Sequence, residues 1–401
     1  MSSILLLLAP LLLAPAGAGR AAPVRIGVFD LFKPQVVHAR IASGESALLD
    51  CALAGRGAVA PGETIRIVLS SGQLDISITD RFGRIRRSFA ATETRMIPEG
   101  AATLELILPG KIKREMRGEI TIAPSTGAAR RSLKIIVAVD REAAVASICA
   151  AEAGNNREPE LLKAMAVVVR TYMISHGARH DSEGFDFCDT THCQLYRGEQ
   201  DLTAEAASPT VAAAVSETAG EHLGFADRAI ESYYTAVCGG LTVTPRMVWG
   251  GADSHYNYRS VACRWCASSP FMNWRRSAAV SSILSALSPL AGWDLSLATE
   301  LDTRRDEASG FVQAVFIRDG EREREVSGDE LRRAIGKRLG WSTVLSPTFN
   351  IERRAGRFYF SGKGFGSQVG LCVAGAAAQA KAGRDYKKIL GFYYPGAEIR
   401  K

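Results

Sequence analysis

A single acidic side chain ends an otherwise small and apolar segment of the chain. Glu152 follows the residues SICAA, and Gly154 stands two positions later. The C-terminal end of a helix carries a negative partial charge, which disfavours an ionised carboxylate and raises its pKa. A carboxyl group that keeps its proton near neutral pH can act as a general acid. The position also suits a solvated glutamate at a helix end, and the residues alone leave both interpretations open.

One short segment concentrates side chains that bind metal ions. His180, Cys188, His192 and Cys193 follow the spacing H-x7-C-x3-H-C. Two thiolates with two imidazoles are the ligands of many structural zinc sites, although the adjacent ligands 192 and 193 are not the spacing of a zinc finger. In an oxidising compartment, a disulfide between Cys188 and Cys193 is the alternative.

The remaining cysteines allow several interpretations. Cys263 and Cys266 form a C-x2-C pair, and Cys238 precedes them. These three could form a second thiolate set, take part in a disulfide, or join the first cluster. We expect the other three cysteines to be small buried hydrophobic side chains: Cys51, Cys149 and Cys372.

The elements that position these residues change in character at Asp140. Before it, short β-branched runs separated by Gly and Pro turns predict a β-rich module over residues 23–139. After it, Asp140 suits the N-cap of a helix over Arg141–Ala153, and Pro159 suits the first turn of a second helix that ends near Ser175. We therefore predict an α+β fold, in which a mixed α/β domain of catalytic type occupies residues 140–401.

Two later predictions concern the surroundings of the cysteines. The runs Glu221–Phe225 and Ala229–Thr235 predict a hairpin around Ala226-Asp227. A segment of small residues predicts a helix over Gly375–Ala382.

Length and charge exclude some classes of protein. The chain has 401 residues, is 47% hydrophobic and carries a net charge of +7. These values are typical of a globular protein with two or three domains and exclude global disorder. The positive charge is spread without long runs of one sign, which argues against a nucleic-acid partner but suits attraction to an acidic polymer.

The N-terminal residues indicate export. Residues 1–22 contain the apolar stretch Ile4–Pro15 followed by small residues, which is typical of a signal peptide. No Lys or Arg precedes the stretch, so a start codon placed too early or too late is the alternative. Further along, no apolar run is long enough to predict a transmembrane segment. We therefore expect an exported protein, in the periplasm, outside the cell or at the cell wall.

Four motifs in order resemble the stage II sporulation protein D and amidase-enhancer family. The chain reads AAEAG with PELLKAMAVVVRTYM, then FDFCDTTHCQLYRG, ESYYTAVCGGLT, and GFGSQVGLCVAGAAAQAKAGRDYKKILGFYYPG. The corresponding family patterns are ALKAQAVAARTYAL after a short acidic element, CDTTHCQVY, HSTCGGxT, and a glycine-rich signature that ends in YYPG. The resemblance covers about 150–394 and is weak before Asp140.

The resemblance implies an enzyme of the bacterial cell wall. Active members are lytic transglycosylases, a class of carbon–oxygen lyase that cuts peptidoglycan glycan strands and leaves 1,6-anhydro ends. The family's acid/base carboxylate falls on Glu152, and the family arginine falls on Arg170. Arg170 could orient Glu152, bind a sugar carboxyl group with two hydrogen bonds, or simply lie on the surface of its helix. Direct contact between these two side chains requires that their helices cross or bend, because a simple helical hairpin would place Arg170 too far along its helix.

The same resemblance implies further site residues. Tyr233 and Tyr234 match an aromatic strand that could line a sugar subsite, although buried strand tyrosines are just as common. Some members bind zinc at the loop that contains His180 and Cys188, so we expect a structural Zn²⁺ ion and no organic cofactor.

The C-terminal motif departs from the family pattern. Ser367 stands where the family commonly has His, Val373 where it has Gln, and Ala374 where it has Tyr. If those polar residues bind glycan in active relatives, Ser367 is the remaining substrate-binding candidate in this motif. These changes leave a second hypothesis open, namely a non-catalytic wall-binding protein that stimulates an N-acetylmuramoyl-L-alanine amidase. In both hypotheses the expected partner is a peptidoglycan glycan strand, and in the second the amidase is a further partner.

Overall fold

The computed structural model describes residues 22–51, 55–125, 132–177, 179–199, 208–251 and 254–401. The predicted signal peptide over residues 1–22 lies, except for its last residue, outside the described residues. Within the described residues, no helix combines the length and the apolar character that a membrane span requires. The fold is α+β with a β-rich N-terminal region, as the sequence predicts.

The helices and strands have the following bounds. The helices are α1 Arg141–Glu152, α2 Pro159–Ser175, α3 Ser208–Glu217, α4 Pro245–Trp249, α5 Val280–Ala291, α6 Gly328–Leu339, α7 Val373–Lys381 and α8 Tyr386–Tyr393. The strands of the first part are β1 Val24–Val28, β2 Val36–Ser43, β3 Ala47–Cys51, β4 Gly55–Val59, β5 Thr64–Ser70, β6 Gln73–Thr79, β7 Ile85–Ala91, β8 Thr94–Pro98, β9 Thr103–Leu108, β10 Ile112–Met116, β11 Glu119–Pro124 and β12 Leu133–Val139. Those of the second part are β13 Phe187–Cys188, β14 His222–Phe225, β15 Arg228–Ala229, β16 Tyr234–Thr235, β17 Trp274–Ala279, β18 Glu300–Arg305, β19 Val312–Asp319, β20 Arg322–Val326, β21 Phe349–Arg354, β22 Arg357–Gly362, β23 Leu371–Cys372 and β24 Glu398–Arg400.

Two sheets build the N-terminal region. One has the strand order β13-β1-β12-β11-β8-β3-β4, and the other has the order β10-β9-β2-β5-β6-β7. Side chains alternate between buried and partly exposed along β12, as expected for a strand with one face on a core. This core continues without interruption into α1 and α2, because Ile135, Val145 and Val167 belong to one cluster of buried side chains.

The first sheet also receives a strand from the later part of the chain. Strand β13 pairs in parallel with β1, so that Cys188 lies opposite Gly27. The segment that carries the predicted metal ligands is thereby fixed to the N-terminal sheet. The division into a module over 23–139 and a domain over 140–401 remains a prediction.

Helix α2 is the central helix of the second part. Pro159 occupies its first turn, and α2 contacts α1, α3, α7 and α8. It is buried along most of its length, which explains why its sequence is apolar on nearly all sides. Helix α1 begins at an N-cap formed by Asp140, whose carboxylate accepts from the N–H groups of Glu142 and Ala143.

A separate apolar core forms between residues 274 and 360. It is built by α5 and α6 with two three-stranded sheets, β17-β22-β21 and β18-β19-β20. This separate core is not predicted from the sequence.

The hairpin predicted over Glu221–Phe225 and Ala229–Thr235 forms only in part. Strand β14 pairs with the short β15, but Tyr234 and Thr235 leave this hairpin and pair in parallel with Leu371 and Cys372. The strand that carries Tyr234 is therefore held by the C-terminal motif.

Candidate functional site

Glu152 lies at the C-terminal end of α1, and donors from two other segments hold its carboxyl group. The backbone N–H of Leu195 donates to Oε1 of Glu152 at 3.0 Å. The phenolic hydroxyl of Tyr234 donates to the same oxygen at 3.0 Å. Within the described residues, Oε2 receives no hydrogen bond. One oxygen is thus anchored and the other remains available for proton transfer.

The environment raises the pKa of Glu152 above its ordinary value. Burial is the largest cause, because it disfavours the charged form. The hydrogen bonds from Leu195 and Tyr234 and the charge of Arg197 act in the opposite direction. The sequence predicts the direction of this shift from the helix end, but the structure assigns the main effect to burial. A carboxyl group in such a site can both donate and accept a proton.

The guanidinium of Arg170 binds the carboxylate of Glu142 and not that of Glu152. Its Nε and Nη2 bind the two oxygens of Glu142 at 2.8 and 2.7 Å, and Nη1 donates to the carbonyl oxygen of Glu221 at 2.7 Å. Only 1% of its surface is exposed. The expectation that Arg170 could orient Glu152 by direct contact is therefore not met. Its guanidinium joins the start of α1 to α2, so the geometry favours a positioning role.

Tyr233 lies in a group of aromatic side chains. Its ring centroid is 4.8 Å from that of Trp249, and its hydroxyl is 3.3 Å from Nε2 of His176. Trp249 is 44% exposed, so this group reaches the surface. Aromatic side chains that reach the surface offer an apolar face and a polar edge to a ligand. The sequence analysis did not single out Trp249, although an isolated Trp before the Gly250-Gly251 pair was a usable signal.

Ser367 lies in the loop between β22 and β23. Its hydroxyl accepts from the N–H of Val369 at 3.4 Å. The neighbouring Gln368 is 2% exposed, adopts a positive φ of 66°, and donates to the carbonyl oxygen of Cys238 at 2.8 Å. Gln368 therefore holds the C-terminal motif against the segment after β16.

The four predicted metal ligands converge in space. One ligand atom from each of His180, Cys188, His192 and Cys193 lies within 4.8 Å of the others. Nε2 of His180 is 3.3 Å from Sγ of Cys193, and Nδ1 of His192 is 3.6 Å from Sγ of Cys188. This cluster, which we call the Cys/His cluster, could bind a metal ion.

Two further observations fit a metal ion in the Cys/His cluster. Nδ1 of His180 lies 2.6 Å from a carboxylate oxygen of Glu183, and such a partner orients the imidazole of a metal ligand. Hydrogen bonds from Cys193, His192 and Thr190 lower the pKa of Cys188 below the ordinary value of a thiol, which favours a thiolate at this sulfur. Cys188 and Cys193 are free cysteines in this structure.

The expectation that Cys372 is only a small buried side chain is wrong. Its sulfur lies with those of Cys238, Cys263 and Cys266, all within 4.8 Å of one another. We call this group the four-cysteine cluster. Its ligand atoms form a group separate from the Cys/His cluster, so Cys238, Cys263 and Cys266 do not join the first set. Cys51 and Cys149 are buried, as expected.

Comparison with known proteins confirms the resemblance seen in the motifs. The family model "Stage II sporulation protein" matches residues 129–225, which include Glu152 and the Cys/His cluster. An uncharacterized protein of Brachyspira hyodysenteriae is 29% identical over 244 residues, which are 60% of this chain and 61% of that protein. Stage II sporulation protein D of Bacillus subtilis is 25% identical over 265 residues, 64% of this chain and 73% of that protein. The amidase enhancer of Bacillus subtilis is 25% identical over 290 residues, 60% of this chain but only 38% of that protein.

Proposed function

We propose that this chain, which carries a stage II sporulation protein domain, is an exported lytic transglycosylase that cleaves peptidoglycan glycan strands. The observation that carries the proposal is the partly buried carboxyl group of Glu152, whose pKa is raised by its surroundings. Its Oε1 is fixed by Leu195 and Tyr234. Such a group is suited to acid/base work on a bond between two sugars.

The reaction needs one carboxyl group in two successive roles. Glu152, in its protonated form, gives its proton from Oε2 to the glycosidic oxygen as the C1–O bond breaks. The resulting carboxylate removes the proton from the 6-hydroxyl of the same sugar, and O6 forms a bond to C1. The products are a 1,6-anhydro end and a free 4-hydroxyl, and Glu152 recovers its proton without any water being consumed.

This mechanism differs from ordinary glycoside hydrolysis, which uses a pair of carboxylates on either side of the bond. Here the 6-hydroxyl of the sugar itself attacks C1, in place of the second carboxylate or of an activated water molecule. The anchoring of Oε1 supports the proposal, because it leaves Oε2 in one place for both proton transfers.

The aromatic group around Tyr233 supplies a surface for the glycan. Trp249 and Tyr233 could stack on sugar rings, whereas the hydroxyl of Tyr234 is hydrogen-bonded to Glu152. In this proposal Tyr234 positions the acid rather than contacting sugar. Ser367 supplies a hydroxyl where family members have a larger polar side chain, so its side chain reaches less far toward a bound glycan.

The Cys/His cluster fits a structural Zn²⁺ ion held by His180, Cys188, His192 and Cys193. Zinc in such a closed set supplies folding energy and takes no part in the reaction. The cluster lies next to the site in sequence, because Cys193 is two residues before Leu195. A bound ion would therefore fix the N–H group that holds Oε1 of Glu152.

A second candidate is a wall-binding enhancer of an amidase, the activity named for one of the relatives. A specific observation favours it. A surface pocket of about 830 Å³ is lined by Arg275, Arg305 and Lys363 and by no acidic residue. Such a pocket suits an anionic polymer. The altered residues Val373 and Ala374 also favour binding without cleavage.

One experiment separates the two candidates. The purified chain is incubated with glycan strands stripped of stem peptides, and the released fragments are identified by mass spectrometry. The proposal predicts fragments that end in 1,6-anhydromuramic acid. The chain could instead bind the strands, release no fragments and accelerate peptide release by an N-acetylmuramoyl-L-alanine amidase. That result would support the enhancer function and contradict the transglycosylase proposal.

A further inference from the structure

We propose that Cys238, Cys263, Cys266 and Cys372 bind a single structural zinc ion, at a site separate from the Cys/His cluster. All four cysteines are buried, and they come from three segments of the chain. All four lie beyond residue 225, where the match to the family model ends. The inference therefore rests on the geometry of this chain alone.

The spacing of the sulfurs fits one ion. The Sγ atoms of Cys238 and Cys266 are 3.6 Å apart, and all four sulfurs lie within 4.8 Å of one another. Four sulfurs at the Zn–S distance of about 2.3 Å form a tetrahedron with edges of about 3.8 Å. An iron–sulfur cluster, which places several iron and sulfide atoms between the thiolates, would not fit in this space. A disulfide would instead bring one pair to about 2.05 Å.

Hydrogen bonds around the sulfurs are those that stabilise thiolates. Sγ of Cys372 accepts from the backbone N–H groups of Cys238 and Gly375, both at 3.3 Å. Cys372 is also the N-cap of α7, where the helix dipole favours negative charge. The hydroxyl of Tyr393 lies 3.2 Å from Sγ of Cys263. A set of four thiolates around a metal ion commonly has such donors as its outer partners.

The backbone is shaped to bring α7 onto the cluster. Gly375 lies in the first turn of α7, and a Cβ atom at this position would be 2.8 Å from Sγ of Cys263. A glycine is therefore required for this close approach. Cys263 and Cys266 have the C-x2-C spacing in which one turn supplies two ligands to a zinc ion.

The four-cysteine cluster also lies close to the candidate site. Cys372 pairs with Thr235, and the adjacent Tyr234 pairs with Leu371. Cys238 follows four residues after Tyr234. A metal ion bound here would fasten β16 to β23 and so fix the tyrosine that donates to Glu152. Glu152 would then lie between two metal-stabilised segments, one ending at Leu195 and the other beginning at Tyr234.

The test uses the full chain with the Cys/His cluster removed, so that a second ion is counted on its own. The variant Cys188→Ser/Cys193→Ser is purified, and its zinc content is measured by mass spectrometry of the metal. We expect one zinc per chain in this variant and none after Cys263→Ser/Cys266→Ser is added. The matched control adds Cys51→Ser/Cys149→Ser instead, which changes two buried cysteines outside the cluster and should leave one zinc.

A second measurement remains informative if any of these cysteine changes prevents folding. The unmodified chain is loaded with Co²⁺, and its absorption spectrum is recorded. The proposal predicts sulfur-to-cobalt charge-transfer bands whose intensity corresponds to the four thiolates of this site in addition to the two of the Cys/His cluster. The proposal is overturned if the folded chain binds no metal, if the bands account only for the two thiolates of the Cys/His cluster, or if peptide mapping finds disulfides among Cys238, Cys263, Cys266 and Cys372.

Discussion

The hydroxyl of Tyr234 donates a 3.0 Å hydrogen bond to the carboxyl group of Glu152, although 82 residues separate the two in sequence. Glu152 ends helix α1, whereas Tyr234 lies on a short strand held by the C-terminal motif. The contact joins distant parts of the chain at the one carboxyl group to which we assign chemistry. It also makes the protonation of that group sensitive to both parts.

Replacing Tyr234 by Phe should shift the pH dependence of glycan cleavage. The Tyr234 hydrogen bond lowers the pKa of Glu152 against the larger effect of burial, so its loss raises that pKa further. The acid then stays protonated to a higher pH, and the alkaline limb of the kcat/KM profile moves upward. Tyr233→Phe is the control, because the Tyr233 hydroxyl contacts His176 and Glu231 instead. A limb that moves downward, or equally in both variants, would contradict the assignment.

Glu152→Gln should stabilise the protein at neutral and alkaline pH. The pKa of Glu152 is raised on folding from its ordinary value of 4.5, so its contribution to stability is fully present below that pH. The contribution is lost as the pH rises through the folded-state pKa. Gln cannot ionise and avoids this loss. Thermal unfolding across pH 4 to pH 8 should show a Tm advantage for the variant that grows with pH, and a constant difference would speak against a buried, titrating acid.

Arg170 and Glu142 should be strongly coupled in stability. Arg170→Met removes an ion pair in which the Arg170 side chain is buried and the Glu142 side chain is 37% exposed, and it is expected to cost about 2 kcal/mol. Because the partners share two hydrogen bonds, the double variant with Glu142→Gln should cost less than the sum of the single changes, by about 1–3 kcal/mol. Urea unfolding gives the free energy of unfolding of the unmodified chain, of each single variant and of the double variant.

The control for this cycle is the ion pair between Lys163 and Glu217, in which the Glu217 side chain is 57% exposed. Its coupling should stay below about 1 kcal/mol. Additive effects at Arg170 and Glu142 would show that the pair does not position α1, and a direct role of Arg170 with substrate would regain support.

Removing metal from the Cys/His cluster should destabilise the fold and reduce cleavage together. Cys193→Ser removes one ligand and is expected to lower the free energy of unfolding by several kcal/mol. Cleavage should fall because Leu195, two residues later, holds Glu152. Cys51→Ser is the control, since the Cys51 sulfur contacts only the Thr94 hydroxyl among the hydrogen-bonding groups described.

A chelator distinguishes a metal ion from a disulfide at this cluster. A strong chelator should lower the Tm of the Cys263→Ser/Cys266→Ser variant, in which the four-cysteine cluster lacks two of its ligands, and added Zn²⁺ should restore it. If a reductant lowers the Tm and the chelator does not, Cys188 and Cys193 form a disulfide and the metal assignment is wrong.

Local sequence patterns predict helices and strands well where a single strong signal, such as β-branched residues or a proline in a first helical turn, is present. Strands β5, β9 and β12 lie in the predicted β-rich module, where β-branched residues and a period of two indicate strands. Helix α2 runs from Pro159 to Ser175 as predicted, since proline in the first turn and an apolar stripe agree. The Cys/His cluster is predictable because its ligands lie within one short segment.

Contacts between distant segments could not be predicted in the same way. Periodicity shows that Tyr234 is in a strand but not that its partner is Leu371, more than one hundred residues later. For the same reason, the sequence shows Cys372 only as an isolated small residue, and the structure is needed to show that it lies beside Cys238. The sequence suggests Arg170 as a partner for Glu152, because nothing in it shows that Glu142 lies beside Arg170.

The most direct test of the central proposal is the activity of Glu152→Gln beside a matched control. Glu217 is also the last residue of a helix, but it is exposed and paired with Lys163. Purified Glu152→Gln, Glu217→Gln and the unmodified chain are incubated with glycan strands stripped of stem peptides, and 1,6-anhydromuramic ends are counted. We predict that these ends form with the unmodified chain and with Glu217→Gln and disappear with a folded Glu152→Gln. Undiminished cleavage by Glu152→Gln would contradict the account.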